Sequence, residues 1–567
     1  MAVVTGPPAS HLGWAGRLFE CVAASNILAV LVLLVAAGLA FAPGFATLQP
    51  MDRDEPRFAQ ASKQMLESGD FVSIRFQDEA RLNKPVGIYW LQTAAVAAGE
   101  TLGVPDARTT IALYRVPSLV AAIGAVLLTW WTALPLVGRR AALLAGVMMA
   151  GCVLLGVEGR LAKTDATQLL AIMAMMGVLA RFYISWCRER TIPSGLALPA
   201  VFWIGMAGSI LIKGPIGVLL VGLTILTVFG LTRQWRWILG LRWIYGILFT
   251  LVLVSPWFIA IMVQTKGAFL EQSVGKDMLG KVAGGQESHG AWPGTYFLVF
   301  WGTFWPFAPL APLAALWVWA NRRAPQIIFL LAWLVPFWLV FEFFPTKLPH
   351  YVLPVYPAVA ILIAGAASEE GFVRSLWARL VGLLVPILAT ALAIGVLGAV
   401  YFYERQVAWL TVPFAVIGIA SSYLAWKRLG EGRGVEAVLC CALTSIVLYW
   451  GVYQGALPRM SVLRISPRLA AAAQSPQCPH VEAASVGFRE PSLVFLAGTD
   501  LQMPGPEGAA DFLKQGTCRV AFVDKGSEPA FLARLAADGI HADPVTRVDG
   551  ININGGKKLS IGVYRAP

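Results

Sequence analysis

The sequence predicts a mainly α-helical, polytopic membrane protein with a small α/β domain at its C-terminal end. Three observations predict it. Hydrophobic residues fill 57% of the 567 positions and charged residues only 13%, with a mean hydropathy of +0.67, whereas an ordinary soluble domain is roughly a quarter charged. About thirteen apolar runs are long enough to cross a bilayer. Only the stretch 457–567 loses that character.

The first run, 21–43, follows Arg17 and is too long for a signal-peptide core of about 7 to 15 residues, so it reads as an uncleaved first span. Further runs lie at 111–137, 141–157, 166–187, 196–212, 214–231, 238–263, 295–320, 325–344, 350–367, 380–402, 409–427 and 436–456. Every second connection holds a basic cluster: Arg139-Arg140, Arg188 with Arg190, Arg233 with Arg236 and Arg242, Arg322-Arg323, Arg374 with Arg379, and Lys427-Arg428 with Arg433. Those connections are expected in the cytoplasm. The net charge of +12 is thereby used up in short loops, which argues against a nucleic-acid partner.

The alternate connections then face outward. They include a long loop at 44–110, a second at 264–294, and the tail 457–567, so that residues 1–456 form a membrane domain and 457–567 a periplasmic one. In the tail, 493–497 and 520–523 read as short buried strands, 509–515 and 528–538 as helices, and 550–556 as a turn between strands. Cys478 and Cys518 are expected to pair as a disulfide there, while Cys21, Cys152, Cys187, Cys440 and Cys441 sit in or beside spans as packing residues.

The chemistry is expected to begin in 51–90, a charge-dense insert between apolar runs. Its opening carries Asp52, Asp54 and Glu55 beside Arg53 and Arg57. Residues 55–67 have a helical apolar period that Gly69 ends, which suggests an amphipathic helix on the membrane surface. Carboxylates beside an apolar boundary suit general-base work or metal binding, and Asp165 opens the next outer loop; a solvated turn with ion pairs is the plainer reading. Lys84, Lys163, Lys213, Lys347 and His350 all lie at outer span ends, three of the lysines beside prolines, as in Lys84-Pro85, Lys213-Gly-Pro215 and Lys347-Leu-Pro349. Converging cations make a phosphate site, whereas single lysines there merely snorkel. Tyr89, Trp90, Trp257 and Tyr351 are candidates to line a sugar or lipid pocket or to form an interfacial belt, and Glu287 and His289 are weak candidates for substrate or metal.

Taken together these residues resemble the GT-C membrane glycosyltransferases that use polyprenyl-phosphate sugars, in the branch of the protein O-mannosyltransferases and the lipid A aminoarabinose transferases. The resemblance rests on Asp54-Glu55-x-Arg57, Met65 to Asp70, Lys84-Pro85 followed by Tyr89-Trp90, Lys163-Thr-Asp165, Lys213-Gly-Pro-Ile-Gly217, Ser255-Pro-Trp257 and Lys347-Leu-Pro-His-Tyr351. It implies a GT-C architecture of about thirteen spans and an undecaprenyl-phosphate donor. Asp54, with Glu55 and Asp165, would be catalytic. Arg57, Lys84, Lys213, Lys347, His350 and Tyr351 would hold the donor phosphate, and Tyr89, Trp90, Lys163, Trp257 and His289 would line the substrate pocket. The sequence departs from the family at Phe58, where a tyrosine is usual, and at Asn83, where the aminoarabinose enzymes have glutamate.

The expected activity is transfer of a glycosyl group, with inversion, from a polyprenyl-phosphate sugar to lipid A or another envelope lipid or glycan, by a monomer in the bacterial inner membrane. A protein hydroxyl as acceptor and, in a different class, a flippase for a lipid-linked sugar are the alternatives. No organic cofactor is called for; a divalent metal is compatible with the carboxylates, its ligands unassigned.

Overall fold

The computed structural model describes residues 14–51, 53–273, 275, 290–369, 376–478 and 480–566. Asp52, Glu287, His289 and Arg374 lie outside the described residues. Long apolar helices dominate, and their outward faces carry many bare Leu, Ile, Val and Phe side chains, as a lipid solvent requires. The chain is an integral membrane protein.

Seven described helices are long and apolar enough to cross a membrane, or nine if each of two sharply bent pairs is one span. Some of the thirteen runs fall below that mark, including Ala197–Lys213 (α8) and Ile216–Thr232 (α9), which are shorter. Two other runs merge into one helix, Ile111–Gly151 (α5), whose backbone breaks at Gly138 with φ 79°. Only glycine takes that left-handed geometry without strain, and the chain turns there beside Arg139-Arg140. Asp165–Glu189 (α7) and the segment Pro349–Ala367 are the most enclosed helices, packed against α5 in the centre of the bundle.

Three helices, in 44–110 and before α7, carry the candidate site residues. Asp54–Ser68 (α3) begins with two acids in its first turn, favourable to the helix dipole, and stops at Gly69 in the left-handed conformation. Gly87–Thr101 (α4) follows the two-stranded hairpin Arg75–Phe76 (β1) and Glu79–Ala80 (β2). Val153–Glu158 (α6) leads into α7. Contrary to the expected surface helix, α3 is buried on most sides, including Gln60, Ser62 and Lys63. It is held between α4 and the tail helix Pro491–Ala497, so protein rather than lipid covers its second face.

The tail is built on a four-stranded sheet of order β3-β4-β6-β5, with Glu482–Val486 (β3) parallel to Arg519–Asp524 (β4) and the other pairings, to Thr546–Ile551 (β5) and Lys558–Arg565 (β6), antiparallel. Strand 520–523, helix 528–537 and the turn at 552–557 fall where the pattern puts them. Residues 493–497 do not form a strand; they belong to the helix Pro491–Ala497. A short apolar run cannot by its period distinguish helix from buried strand, and here Pro491 at the first turn and Gly498 after the last decide for helix. A disulfide joins Cys478 to Cys518, residues just before β3 and β4.

That bridge closes a loop of 40 residues, which in the chain-entropy account is worth about 4 kcal/mol. Replacing both cysteines by alanine should lower the opening free energy of the tail sheet by that order, read as faster amide hydrogen exchange in β3 and β4, with the buried amides of α7 unchanged.

Candidate active site

The site is assembled from the loop segments that join these helices. At its base is an ion pair that the sequence reading did not contain. Arg115, in the first turns of α5, and Glu55 are both fully buried. Arg115 Nε donates to Glu55 Oε1 at 2.7 Å and Nη2 to Oε2 at 2.9 Å. The remaining guanidinium protons go to the carbonyls of Phe45, Leu48 and Gln49, at 2.9, 2.9 and 2.8 Å. Glu55 also accepts from the backbone N–H of Met51 and of Ala162. Every acceptor position of the carboxylate is thus used within the protein. Glu55, expected among the catalytic acids, is instead a structural anchor with no open lone pair. The signal for Arg115 was its place inside an apolar run, where an unpaired charge is costly.

Asp54 faces the other way. Its side chain is 44% exposed and 3.7 Å from Arg57, itself 31% exposed. Tyr89 lies nearby: it is buried, feels the Asp54 charge, accepts from Arg81 Nε at 3.4 Å and packs on Phe58 at 5.4 Å. Burial pushes the Tyr89 phenol up in pKa, opposed by the Arg81 guanidinium. Arg81 also sits over the Phe58 ring at 4.9 Å, so the residue that departs from the family pattern is a packing surface for an aromatic and a cation.

A second cluster gathers Glu158, Lys163, Asp165, Lys213, His350 and Tyr351. Asp165, the first residue of α7, hydrogen-bonds the Lys213 ammonium. Lys163 lies 3.7 Å from Glu158. His350 bridges the two acids, Nδ1 3.6 Å from Glu158 and Nε2 3.8 Å from Asp165. Its ring meets Tyr351 edge-on at 5.1 Å, and Lys213 lies 5.7 Å over the Tyr351 ring. Lys84, Lys163 and Lys213 all act electrostatically on His350, which ties the end of the hairpin segment to this cluster. The close approach has a visible cause. A Cβ on Gly87 would lie 2.8 Å from the Leu211 carbonyl oxygen, so glycine lets the start of α4 press against the end of α8, which finishes at Lys213.

Other expected residues are placed differently. Lys347 donates to the carbonyls of Phe341, Glu342 and Phe344 at 3.2, 2.7 and 2.9 Å and lies 3.6 Å from the Glu342 carboxylate. It caps the helix Pro325–Phe343 with all three ammonium protons, and the structure does not present it to a phosphate. Trp90 Nε1 donates to Phe71 O at 2.8 Å and Trp257 Nε1 to Val72 O at 3.2 Å; both indoles brace the segment 71–72. His289 lies outside the described residues.

Among the described residues, Glu158, Asp165 and His350 are the one set whose donor atoms, within 4.8 Å of one another, could hold a metal. Their geometry suits an ion, but their charge does not: Lys163 and Lys213 already neutralise the two carboxylates. A divalent cation would have to displace both ammoniums. As it stands, the donor set is charge-balanced by the two lysines.

Comparison with known proteins places the family and the fold. Residues 26–268 match the family described as dolichyl-phosphate-mannose-protein mannosyltransferase. An undecaprenyl phosphate-alpha-4-amino-4-deoxy-L-arabinose arabinosyl transferase of Aeromonas hydrophila is 27% identical over 429 residues, covering 72% of this chain and 75% of that one. The Pectobacterium carotovorum protein of the same name is 25% identical over 86% and 87% of the two chains. The fold is similar to that of ArnT from Cupriavidus metallidurans crystallised with undecaprenyl phosphate, with TM-score 0.70, 19% identity, and coverage of 95% and 97%. An oligosaccharyltransferase of Archaeoglobus fulgidus superposes with TM-score 0.51 at 12% identity over 90% of this chain and 71% of that one.

Two substitutions separate scaffold from chemistry. Arg115→Met leaves Glu55 buried without its partner and should cost about 3–5 kcal/mol, seen as a lower thermal midpoint and poor yield of folded protein. Gly87→Ala drives a methyl group into the Leu211 carbonyl and should cost about 1–3 kcal/mol, with donor affinity reduced because Lys84 and Lys213 move apart; unchanged donor affinity would show that their spacing does not matter.

Proposed function

We propose, proceeding from the chain's place among the ArnT-like GT-C glycosyltransferases, that it transfers a glycosyl group from undecaprenyl-phosphate sugar to lipid A or another envelope lipid or glycan. The reaction takes place at the periplasmic face of the bacterial inner membrane. The relatives support transfer from a lipid-linked donor. The basic clusters in alternate loops and the disulfide in the tail support an extracytoplasmic site.

One observation carries the reading: Lys84 and Lys213 both act on His350 and Lys213 also binds Asp165, while Asp54 stands exposed at the start of α3 beside a fully paired Glu55. In the reaction Asp54 orients the acceptor hydroxyl and takes its proton as the oxygen attacks the anomeric carbon. The bond from that carbon to the phosphate oxygen breaks, and the electron pair leaves with the lipid phosphate. Lys84 and Lys213 neutralise the phosphate, with Tyr351 beside Lys213 and Arg57 reaching in from α3 beside Asp54; Asp165 holds Lys213 in place before the donor arrives. A single displacement inverts the anomeric centre. Transport of the lipid-linked sugar is disfavoured, because the ionisable residues stand at helix ends: Asp165 opens α7, Lys213 closes α8, and Lys84 precedes α4. Transporters bind their substrates near the middle of broken spans.

Asp54→Asn should lower kcat by about 10²–10⁴-fold with the thermal midpoint and donor affinity preserved; a folded variant with full transfer would falsify the role. Lys84→Met and Lys213→Met should each reduce kcat/KM by about 10²-fold, measured as radiolabel moved from the polyprenyl-phosphate sugar into the envelope lipid fraction.

A further inference from the structure

A second arginine is buried in the segment that leads into Lys163 and Asp165, and it has no carboxylate partner among the described residues. Arg160 lies between α6 and α7 and is 2% exposed. Its Nε donates to Pro43 O at 2.8 Å, its Nη1 to Gly156 O and its Nη2 to Ala40 O. The guanidinium lies over the rings of Tyr453 and Tyr449, at 4.2 and 5.1 Å. It also feels the charge of Arg115. A buried cation held only by carbonyls and ring faces, near another cation, is expensive. One that is kept at the end of the spans points to a function.

What it grips shows which function. Ala40 and Pro43 lie where the helix Asn26–Phe41 ends and the chain sets out toward Asp54. Next comes Gly44, whose φ of 80° suits glycine alone. Beyond it, the carbonyls of Phe45, Leu48 and Gln49 are held by Arg115. Two arginines thus hold the two arms of one glycine turn. The tyrosines come from the end of the last span, where Trp450–Ala456 forms a π-helix, a form that recurs at functional sites. The same turn supplies Gln454, which accepts from the Gly44 N–H at 3.1 Å and the Thr47 hydroxyl at 3.3 Å, and Trp450, whose Nε1 donates to Leu39 O at 2.9 Å. From this geometry we infer that Arg160 is a positioning residue for the transfer, tying the chain that leads into Asp54 to the chain that leads into Lys163 and Asp165, with Tyr449 and Tyr453 fixing the plane of its guanidinium. It sets the distance between the acceptor oxygen at Asp54 and the anomeric carbon of a donor held by Lys84 and Lys213. The inference rests on the proposed roles of Asp54 and those lysines. None of the groups that Arg160 holds belongs to the segments carrying Lys84 and Lys213. It therefore bears on the approach of the two reactants and not on donor binding, and a misplacement of about 1 Å can cost about 10²-fold in rate.

The test uses the full chain in nanodiscs with a polyprenyl-phosphate sugar donor and extracted envelope lipid as acceptor. Binding of undecaprenyl phosphate counts the folded sites, so a variant that is only less stable keeps its kcat per site. Arg160→Gln should lower kcat per site about 10²-fold, with donor KM and undecaprenyl-phosphate affinity within about twofold of the unaltered chain. Arg160→Lys keeps the charge but not the planar fork, and should stay at least about 10-fold slow. Tyr453→Leu should slow transfer in the same direction, whereas Tyr453→Phe, which keeps the ring, should match the unaltered chain; this pair carries the test if Arg160→Gln does not fold. Full kcat per site in folded Arg160→Gln overturns the proposal. So does a rise in donor KM, with or without a change in kcat, because Arg160 would then serve donor binding. Full activity in Arg160→Lys also overturns it, since charge without the grip would suffice. Full transfer by Asp54→Asn defeats the catalytic reading instead, and kcat per site in the Arg160 variants can still be measured in that case.

Discussion

The buried pair of Arg115 and Glu55 is the constraint on which the rest of the site depends. Taking two charges out of water costs several kcal/mol per ion unless geometry and hydrogen bonding are complete. Here they are complete: five guanidinium N–H groups meet five oxygens, and the carboxylate accepts from two backbone N–H groups besides the arginine. The partners come from the end of the first span, from α3, from α5 and from the segment before α7. These bonds tie all four segments together, so the pair holds their mutual position. Asp54 is the neighbour of Glu55 on a helix, about 100° around the axis, and therefore points away from the anchor toward the open side.

The second cluster follows a different electrostatic logic. Two carboxylates and two ammoniums at Glu158, Asp165, Lys163 and Lys213 sum to no net charge, a condition for keeping them at the end of the spans. Under the proposed function, a phosphate entering there exchanges partners with lysines already desolvated and already aimed. The cost of gathering the cations has been met in folding, which is preorganisation in its ordinary sense. Asp165 supplies the counter-charge without which Lys213 would be a lone cation at the end of its span.

The apolar runs, the helix ending at Gly69 and the tail sheet's strand at 520–523 were legible because each depends on local period or on composition. The division of labour between Asp54 and Glu55 was not. Two adjacent acids have the same local pattern, and only a partner 60 residues away, Arg115, distinguishes them. Lys347 shows the same limit, since the sequence Lys-Leu-Pro is compatible with a cation facing a phosphate or folding back on three carbonyls; the preceding helix end decides. Trp90 and Trp257 read as pocket or belt residues, yet their N–H groups are tied to the backbone of 71–72. Lys213, His350 and Asp165 do come together as their places at helix ends suggest.

The buried polar face of α3 shows why the tail belongs to the catalytic unit. Gln60 donates to Thr499 Oγ1 at 2.8 Å, Lys63 to Phe495 O at 3.3 Å, and Gln77 to the carbonyls of Thr499 and Leu501 at 3.0 and 2.7 Å. Burial lowers the Lys63 pKa, opposed by the Glu67 and Asp500 carboxylates. Such groups would be left unsatisfied against lipid and merely solvated against water; they make sense only against the tail helix. The contacts join residues more than 420 positions apart in the chain, and loop closure over that distance is slow to be rewarded. The helix that carries Asp54 therefore gains its second supporting face only after the last domain has been made and folded, so the catalytic loop near the start of the chain is completed by its end.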